Sequence, residues 1–232
     1  MLQRGEKRMK IIGINGSPRG PESRTRKLVQ AVLDGAKSAG ADVELVDVSR
    51  LQIEYCNGCH ICYEQGKCIN DDDFTELYES MLDSDGIVLG SPNYVNSVTA
   101  QMKTMLDRIT DAIHCQMFLG KYGCAVSTAG GSGADEVAAY LNRVLLSLGA
   151  NTVGSVDVVV GTETDTAAME AAAKKAYDLG RRLVQAIENR ETYPEQEKIH
   201  ADMIEHMVAL VTANKDRWPH QYNHWKEAGR IP

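Results

Sequence analysis

The sequence predicts an α/β protein: a doubly wound, five-stranded parallel sheet of order 2-1-3-4-5, followed by a C-terminal helical and aromatic extension. Three observations carry that expectation. Five short strand-like runs occur, of which KIIGIN and GIVLG are apolar enough to be buried on both faces. Stretches with apolar residues at helical spacing separate them. Three of the runs end abruptly in loops rich in Gly, Ser, Thr, Asn and Pro, the form that strand-to-helix turns take. Right-handed crossovers then leave few topologies, and 2-1-3-4-5 is the expected one.

The first run, KIIGIN after Met9, meets the turn GSPRGPESRT, residues 16–25. Leu28, Val29, Val32, Leu33 and Ala36 then recur at helical spacing up to Gly40. VELVDV, residues 43–48, is the second strand, and a cysteine-rich stretch follows it. Asn70 and Asp71 to Asp73 open a helix carrying Phe74, Leu77, Tyr78, Met81 and Leu82. Acids in a first turn suit the helix dipole and call for no functional reading. GIVLG, residues 86–90, is the third strand; SPNYVNSVT leads from it into a helix expected from Ala100 to Ile113. Tyr122 to Ser127 is the fourth, ending in TAGGSG ahead of a helix from Ala134 to Leu148. Thr152 to Val160 is the fifth, and an alanine-rich helix runs from Thr166 to Asn189.

This divides the chain into one domain over residues 1–190 and an extension over 191–232. Glu195 to Asn214 fits one more helix. Lys215 to Pro232 holds Trp218, Trp225, Tyr222, His220 and His224. A tail this aromatic docks on something. The options are its own domain, a second subunit or, for the histidines, a ligand.

With 232 residues, 43% hydrophobic and 25% charged, the chain can bury a real core. Its net charge of −7 argues against a nucleic-acid partner but leaves a basic redox protein open. No apolar run reaches the length of a membrane span, so no membrane partner is expected. The opening MLQRGEKRMK is charged with no apolar segment behind it, and the expected location is the cytoplasm. Cys115 and Cys124 read as reduced, partly buried thiols.

The densest chemistry lies at residues 55–69, YCNGCHICYEQGKCI. Cys56, Cys59, Cys62 and Cys68 stand at C-x2-C-x2-C-x5-C, with Gly58 and Gly66 to let the loop bend tightly. Thiolates are the soft ligands of iron–sulfur clusters, and three cysteines spaced by two residues can wrap one cube while a fourth closes it. Other readings stand beside this one. A zinc ribbon sets its two C-x2-C pairs some ~15–20 residues apart, which this run does not. Disulfide knots belong to small secreted chains. Redox-active or metal-free thiols remain an alternative. His60, between two of the cysteines, reads as an exposed loop residue rather than a ligand.

Strand, hydroxyl- and glycine-rich loop, helix also presents backbone N–H groups and a helix N-terminus to a phosphate. Ser17, Ser23 and Thr25 add hydroxyls, and Arg19 or Arg24 adds charge. The loop is neither a Walker loop nor G-x-G-x-x-G. Taken alone, a capped helix start at Ser23 or Thr25 explains it equally well. The loops after strands one, three and four share the carboxyl edge of the sheet, where ligands of open parallel sheets bind. The second offers Pro92, Asn93, Tyr94 and Asn96 to a flat ring, and the third offers glycine backbone with Thr128 and Ser132 to ring carbonyls and imides. One phosphate plus one flat heteroaromatic ring describes flavin mononucleotide, FMN.

GSPRGPESRT, SPNYVNSVTAQMKTMLDR and STAGG resemble the three flavin loops of the NAD(P)H-dependent FMN reductase branch of the flavodoxin-like superfamily. The cysteine run marks a resemblance to its iron–sulfur flavoproteins, over about Met9 to Val160, and DRWPHQYNHWKEAG resembles their C-termini. The resemblance implies a phosphate loop of Ser17, Arg19, Ser23 and Thr25. It implies a ring-contacting loop of Pro92, Asn93, Tyr94, Val95 and Ser97, and a third loop of Thr128, Ala129, Gly130 and Gly131. It makes Cys56, Cys59, Cys62 and Cys68 the ligands of a [4Fe–4S] cluster. The phosphate loop departs from the usual S-P-R-x-x-G-N-T by being longer and ending Ser23-Arg24-Thr25. Lys103, Asp107 and Arg108 match a recurrent K-x-x-x-D-R, in which Lys103 and Asp107 at i, i+4 read as a helix salt bridge.

The implied protein is an oxidoreductase holding FMN and a [4Fe–4S] cluster, moving electrons between two-electron and one-electron partners with no dedicated catalytic acid or base. NAD(P)H would be a transient reductant, a ferredoxin-like protein or a small molecule the partner, and a homodimer or homotetramer the assembly. Two rivals are a NAD(P)H-dependent FMN or quinone reductase with a structural cysteine loop, and a non-enzymatic electron carrier.

Overall fold

Strand β1 (Lys10–Asn15) is an interior strand of the sheet, and its residues from Ile11 onward are buried and pack on both faces. The computed structural model describes residues 8–161 and 166–231. Most of the charged opening lies outside them, as does Pro232. Helix α1 (Arg24–Ser38) follows, then β2 (Asp42–Asp47), α2 (Ile61–Gln65), α3 (Phe74–Asp83) and β3 (Gly86–Pro92). Helices α4 (Ala100–Arg108) and α5 (Thr110–His114) lead to β4 (Tyr122–Ala129), α6 (Ala134–Ser147) and β5 (Asn151–Val159). Helices α7 (Thr166–Glu188), α8 (Pro194–Ala213) and α9 (Pro219–Glu227) complete the chain.

The five strands pair in parallel in the order β2-β1-β3-β4-β5, as expected. Register runs from Ile11 opposite Gly86 to Pro92 opposite Thr128, which brings the ends of β1, β3 and β4 to one edge. One face is covered by α3, α4 and α6 around Ile12, Leu89, Met102, Met105, Phe118 and Leu141. On the other, α1 and α7 cover Val29, Leu33, Val88, Val126 and Leu183. Those two helices nearly touch. A Cβ on Gly35 would stand 1.9 Å from the Tyr177 carbonyl oxygen, and one on Gly180 would stand 1.9 Å from that of Val32.

The single helix expected over 100–113 is two. Ile109 interrupts it at φ −86, ψ 9, and its N–H turns back to the Leu106 carbonyl. The break leaves Arg108 buried at the end of α4, and Ile109 serves as both the C-cap of α4 and the N-cap of α5. The acids before α3 do more than complement its dipole. Asp73 accepts from the Gln52 N–H at 2.7 Å, and Asp72 accepts from the Glu54 N–H at 2.9 Å. Both therefore pin the segment that enters the cysteine loop.

The tail docks on its own chain. Trp225 and Ile231 form a small third core with Met207 and Val211 of α8, and α9 lies against α2. Cys115 and Cys124 are free and buried, and burial pushes the Cys124 thiol up to about 12. Among the described residues no helix is long and apolar enough to cross a membrane.

Candidate functional site

The first site grows from the end of β1. Asn15 is buried; its amide donates to Asp47 at 2.8 Å, and its Oδ1 accepts from the Ser17 N–H at 3.2 Å. Asp47 also holds Arg26, with both oxygens 3.0–3.1 Å from its Nε. The loop base is thereby fixed before any ligand arrives. Gly16 wedges it against the next loop. Its N–H donates to the Gly90 carbonyl at 2.7 Å, its carbonyl accepts from the Thr99 hydroxyl, and a Cβ would meet Met102 at 2.7 Å.

Three hydroxyls converge there. Ser23 is the N-cap of α1, accepting from the Arg26 N–H at 3.1 Å, so the capped helix start is real. Its own hydroxyl hydrogen remains free to donate, which makes cap and ligand group compatible. Ser17 Oγ accepts from the Arg19 N–H at 3.4 Å and likewise keeps a hydrogen. Thr25 Oγ1 and Thr128 Oγ1 are 2.7 Å apart and buried, so this pair shares one hydrogen and keeps the other.

These residues line one cavity of about 270 Å³ with Arg19, Arg24, Pro92, Asn93, Tyr94, Ala129 and Gly130. The three loops predicted from the sequence thus meet. Asn93 ties the second to the third, its N–H donating to the Thr128 carbonyl and its side-chain amide to that of Ser132. Its buried Oδ1 has no partner among the described residues, an acceptor that suits a ring imide N–H. Tyr94 stands at the rim, partly exposed.

Val95, Ser97 and Gly131 lie outside that lining. Val95 and Asn96 take φ +52 and +60 in a tight turn closed by Tyr94 and Ser97 through paired backbone bonds. That form is a type I′ turn, and it points Val95, 98% exposed, away from the cavity. Val160 and Gly161, past β5, line the cavity and were not singled out from the sequence. Their signal was available: they end a strand on the same sheet edge.

The second site is the cysteine loop. Cys56, Cys59, Cys62 and Cys68 line a single cavity of about 40 Å³ together with Arg108. His60 is exposed and enters α2 at φ +64. Burial pushes the Cys62 thiol up to about 12, so a metal binding there displaces a proton. Four convergent thiols are a donor set for a soft metal or a cluster, and the residues present fit one.

Neither helix spacing nor motif pointed to what holds this loop. Tyr63, beside Cys62, is buried between three rings: His60 stacked at 5.1 Å, His114 at 4.6 Å and Trp218 edge-on at 5.1 Å. Gln221 bridges His114 (3.0 Å) and Asp111 (2.8 Å), and the Trp225 indole donates to the His114 carbonyl at 2.9 Å. The His220 ring covers Gly66 so closely that a Cβ there would meet it at 2.5 Å. These partners stand more than a hundred residues from α5 in the chain, beyond any local pattern. Lys103 and Asp107 form the expected salt bridge, whereas Arg108 turns inward to Asp72 at 2.7 Å.

A flavodoxin-like sheet with a hydroxyl-lined cavity across its three edge loops defines a flavin-binding oxidoreductase. The structure is similar in fold to an apo NADH:FMN oxidoreductase, with TM-score 0.60 and 21% identity over 81% of this chain and 93% of that one. An archaeal flavodoxin shares the fold at TM-score 0.51 and 18% identity, covering 78% and 99% of the two chains. The family model described as NADPH-dependent FMN reductase matches residues 9–165. An iron-sulfur flavoprotein of Archaeoglobus fulgidus is 35% identical over 96% of this chain and all of that one. Another, of Clostridioides difficile, is 28% identical over the same shares. The chain belongs to the NADPH-dependent FMN reductase family, groups there with the iron–sulfur flavoproteins, and is a flavin-dependent oxidoreductase.

Proposed function

We propose that the chain binds FMN across its three edge loops and a [4Fe–4S] cluster on Cys56, Cys59, Cys62 and Cys68, and exchanges electrons between two-electron and one-electron partners. The observation that carries this is the convergence of all four thiols on one cavity, in a protein whose flavin cavity is formed separately. When bound, FMN takes up an electron pair and releases single electrons, and a cubane cluster carries one at a time.

The residues supply position and polarity. Ser17, Ser23 and the Thr25–Thr128 pair offer hydroxyl hydrogens to the phosphate, with Arg19 and Arg24 beside them. Asn93 and the backbone after β4 meet the ring edge, and Tyr94 covers it. No acid or base is required. NAD(P)H acts as a transient reductant over the flavin face, and the acceptor is a redox protein or a small molecule. We place the protein in the cytoplasm, where six free cysteines stay reduced, and expect it to work as a homodimer or homotetramer.

Anaerobic purification with iron, sulfide and flavin stoichiometry tests this reading. Four irons, four sulfides and one FMN per chain are expected, and zinc or no metal at the cysteines overturns it. A second reading, a NAD(P)H-dependent flavin or quinone reductase whose cysteine loop is structural, draws on the family description itself. Full steady-state turnover by an iron-free preparation would favour it.

A further inference from the structure

Arg108 is the most completely buried charge beside the cysteine loop: the residue is 5% exposed and its side chain 0%. Each of its two terminal nitrogens has an acceptor. Nη1 donates to Asp72 Oδ2 at 2.7 Å and to the Glu54 carbonyl at 2.8 Å, and Nη2 donates to Asp72 Oδ1 at 3.1 Å. Phe74 lies under the plane, 4.7 Å from the guanidinium carbon. The fork is therefore held from two sides and below.

Its remaining nitrogen, Nε, is buried, and its N–H has no partner among the described residues. A buried guanidinium N–H without an acceptor is costly, because the charged group has given up water for nothing in return. Such a donor calls for an acceptor that the described residues do not supply. Arg108 borders both cavities at the loop, and Cys68 lines each of them with it. A second donor stands below: Tyr78 Oη is buried without a partner in the cavity that Cys62, Cys68 and Arg108 share.

We propose that Arg108 is the positioning residue that tunes the cluster, its fixed Nε–H donating to sulfur at the Cys68 corner. This rests on the cluster reading above. Hydrogen bonds and positive charge at cluster sulfur stabilise the reduced, more negative state, so they raise the reduction potential. The Asp72–Glu54 anchor matters because it holds the donor in place while the same contacts pin the strand of chain entering Cys56. One ion pair thereby joins loop geometry to potential.

The test uses the full chain purified anaerobically with its iron content measured first. In the wild type, resonance Raman bands of the iron–cysteine stretches should shift on transfer to deuterated water, as they do when an exchangeable N–H bonds the sulfur. Arg108→Lys, which keeps the charge but loses the fixed Nε–H, should lose most of that shift and lower the cluster potential. Arg108→Gln should also weaken iron retention by about 10–100-fold, the range for outer-shell partners of metal ligands. Tyr78→Phe should leave the Arg108-dependent shift in place.

A wild-type cluster with no deuterium shift overturns the inference whether or not the variants hold iron. An iron-replete Arg108→Lys with unchanged potential and unchanged shift overturns it too. A wild type without iron overturns the cluster reading itself, and stoichiometry separates that failure from the others.

Discussion

Thr25→Val probes the flavin site at the point where structure makes the arithmetic explicit. Thr25 and Thr128 are 1% and 6% exposed, and their hydroxyls stand 2.7 Å apart. Two hydroxyls carry two hydrogens; one joins the pair, so one is left for a phosphate oxygen. Valine keeps the shape of Thr25 but removes one hydroxyl. Thr128 then keeps its hydrogen, yet it lies one loop further from the Ser17–Ser23 cradle and loses the neighbour that orients it. A hydrogen bond to a charged group is worth about 1.5–3 kcal/mol, so the FMN dissociation constant should rise about 10- to 150-fold. The assay is anaerobic titration of the flavin-free protein with FMN and with riboflavin, followed by the change in flavin fluorescence. Riboflavin lacks the phosphate, and its affinity should not change. Circular dichroism and melting would confirm the fold, since one neutral buried bond accounts for only about 1 kcal/mol. Unchanged FMN affinity, or an equal loss for riboflavin, would refute the reasoning by removing Thr25 from the phosphate cradle.

Three further outcomes follow from the same geometry. Tyr94→Ala should raise the emission of bound flavin, because Tyr94 lines the cavity rim; equal emission and affinity would place the ring elsewhere. Gly180→Ala should lower the melting temperature. Its Cβ would stand 1.9 Å from the Val32 carbonyl oxygen, and overpacking of about 1–3 kcal/mol exceeds the roughly 1 kcal/mol that alanine gains in helix propensity. At the upper end the net 2 kcal/mol lowers Tm by about 4–8 °C for a domain of this size, and an unchanged Tm would show that α1 and α7 slide apart freely. Truncation after Asn214 removes Trp218, Gln221 and Trp225 from the cysteine loop, so iron retention should fall while FMN affinity holds; full iron retention would show that the loop stands without the tail.

Within the chain, the sheet was legible because its signals are local. IIGI, residues 11–14, and GIVLG are apolar throughout since both faces of an interior parallel strand are covered, and all five runs became strands in the order expected. That the three edge loops meet was legible for the same reason: strand ends fall on one edge by topology alone, which is why Ser17, Thr25, Asn93 and Thr128 line one cavity without any pairwise signal. Spacing likewise identified the four cysteines. What spacing could not assign was the support beneath them. Apolar periodicity runs unbroken past Ile109, so only packing decided that α4 stops there and turns Arg108 onto Asp72. Val95 sits beside cavity-lining residues in sequence, but a left-handed turn carries it outward. The aromatic tail could dock in several places. Burial of Tyr63 between His60, His114 and Trp218 is a contact across most of the chain, and such contacts are settled by which surfaces the finished sheet leaves uncovered.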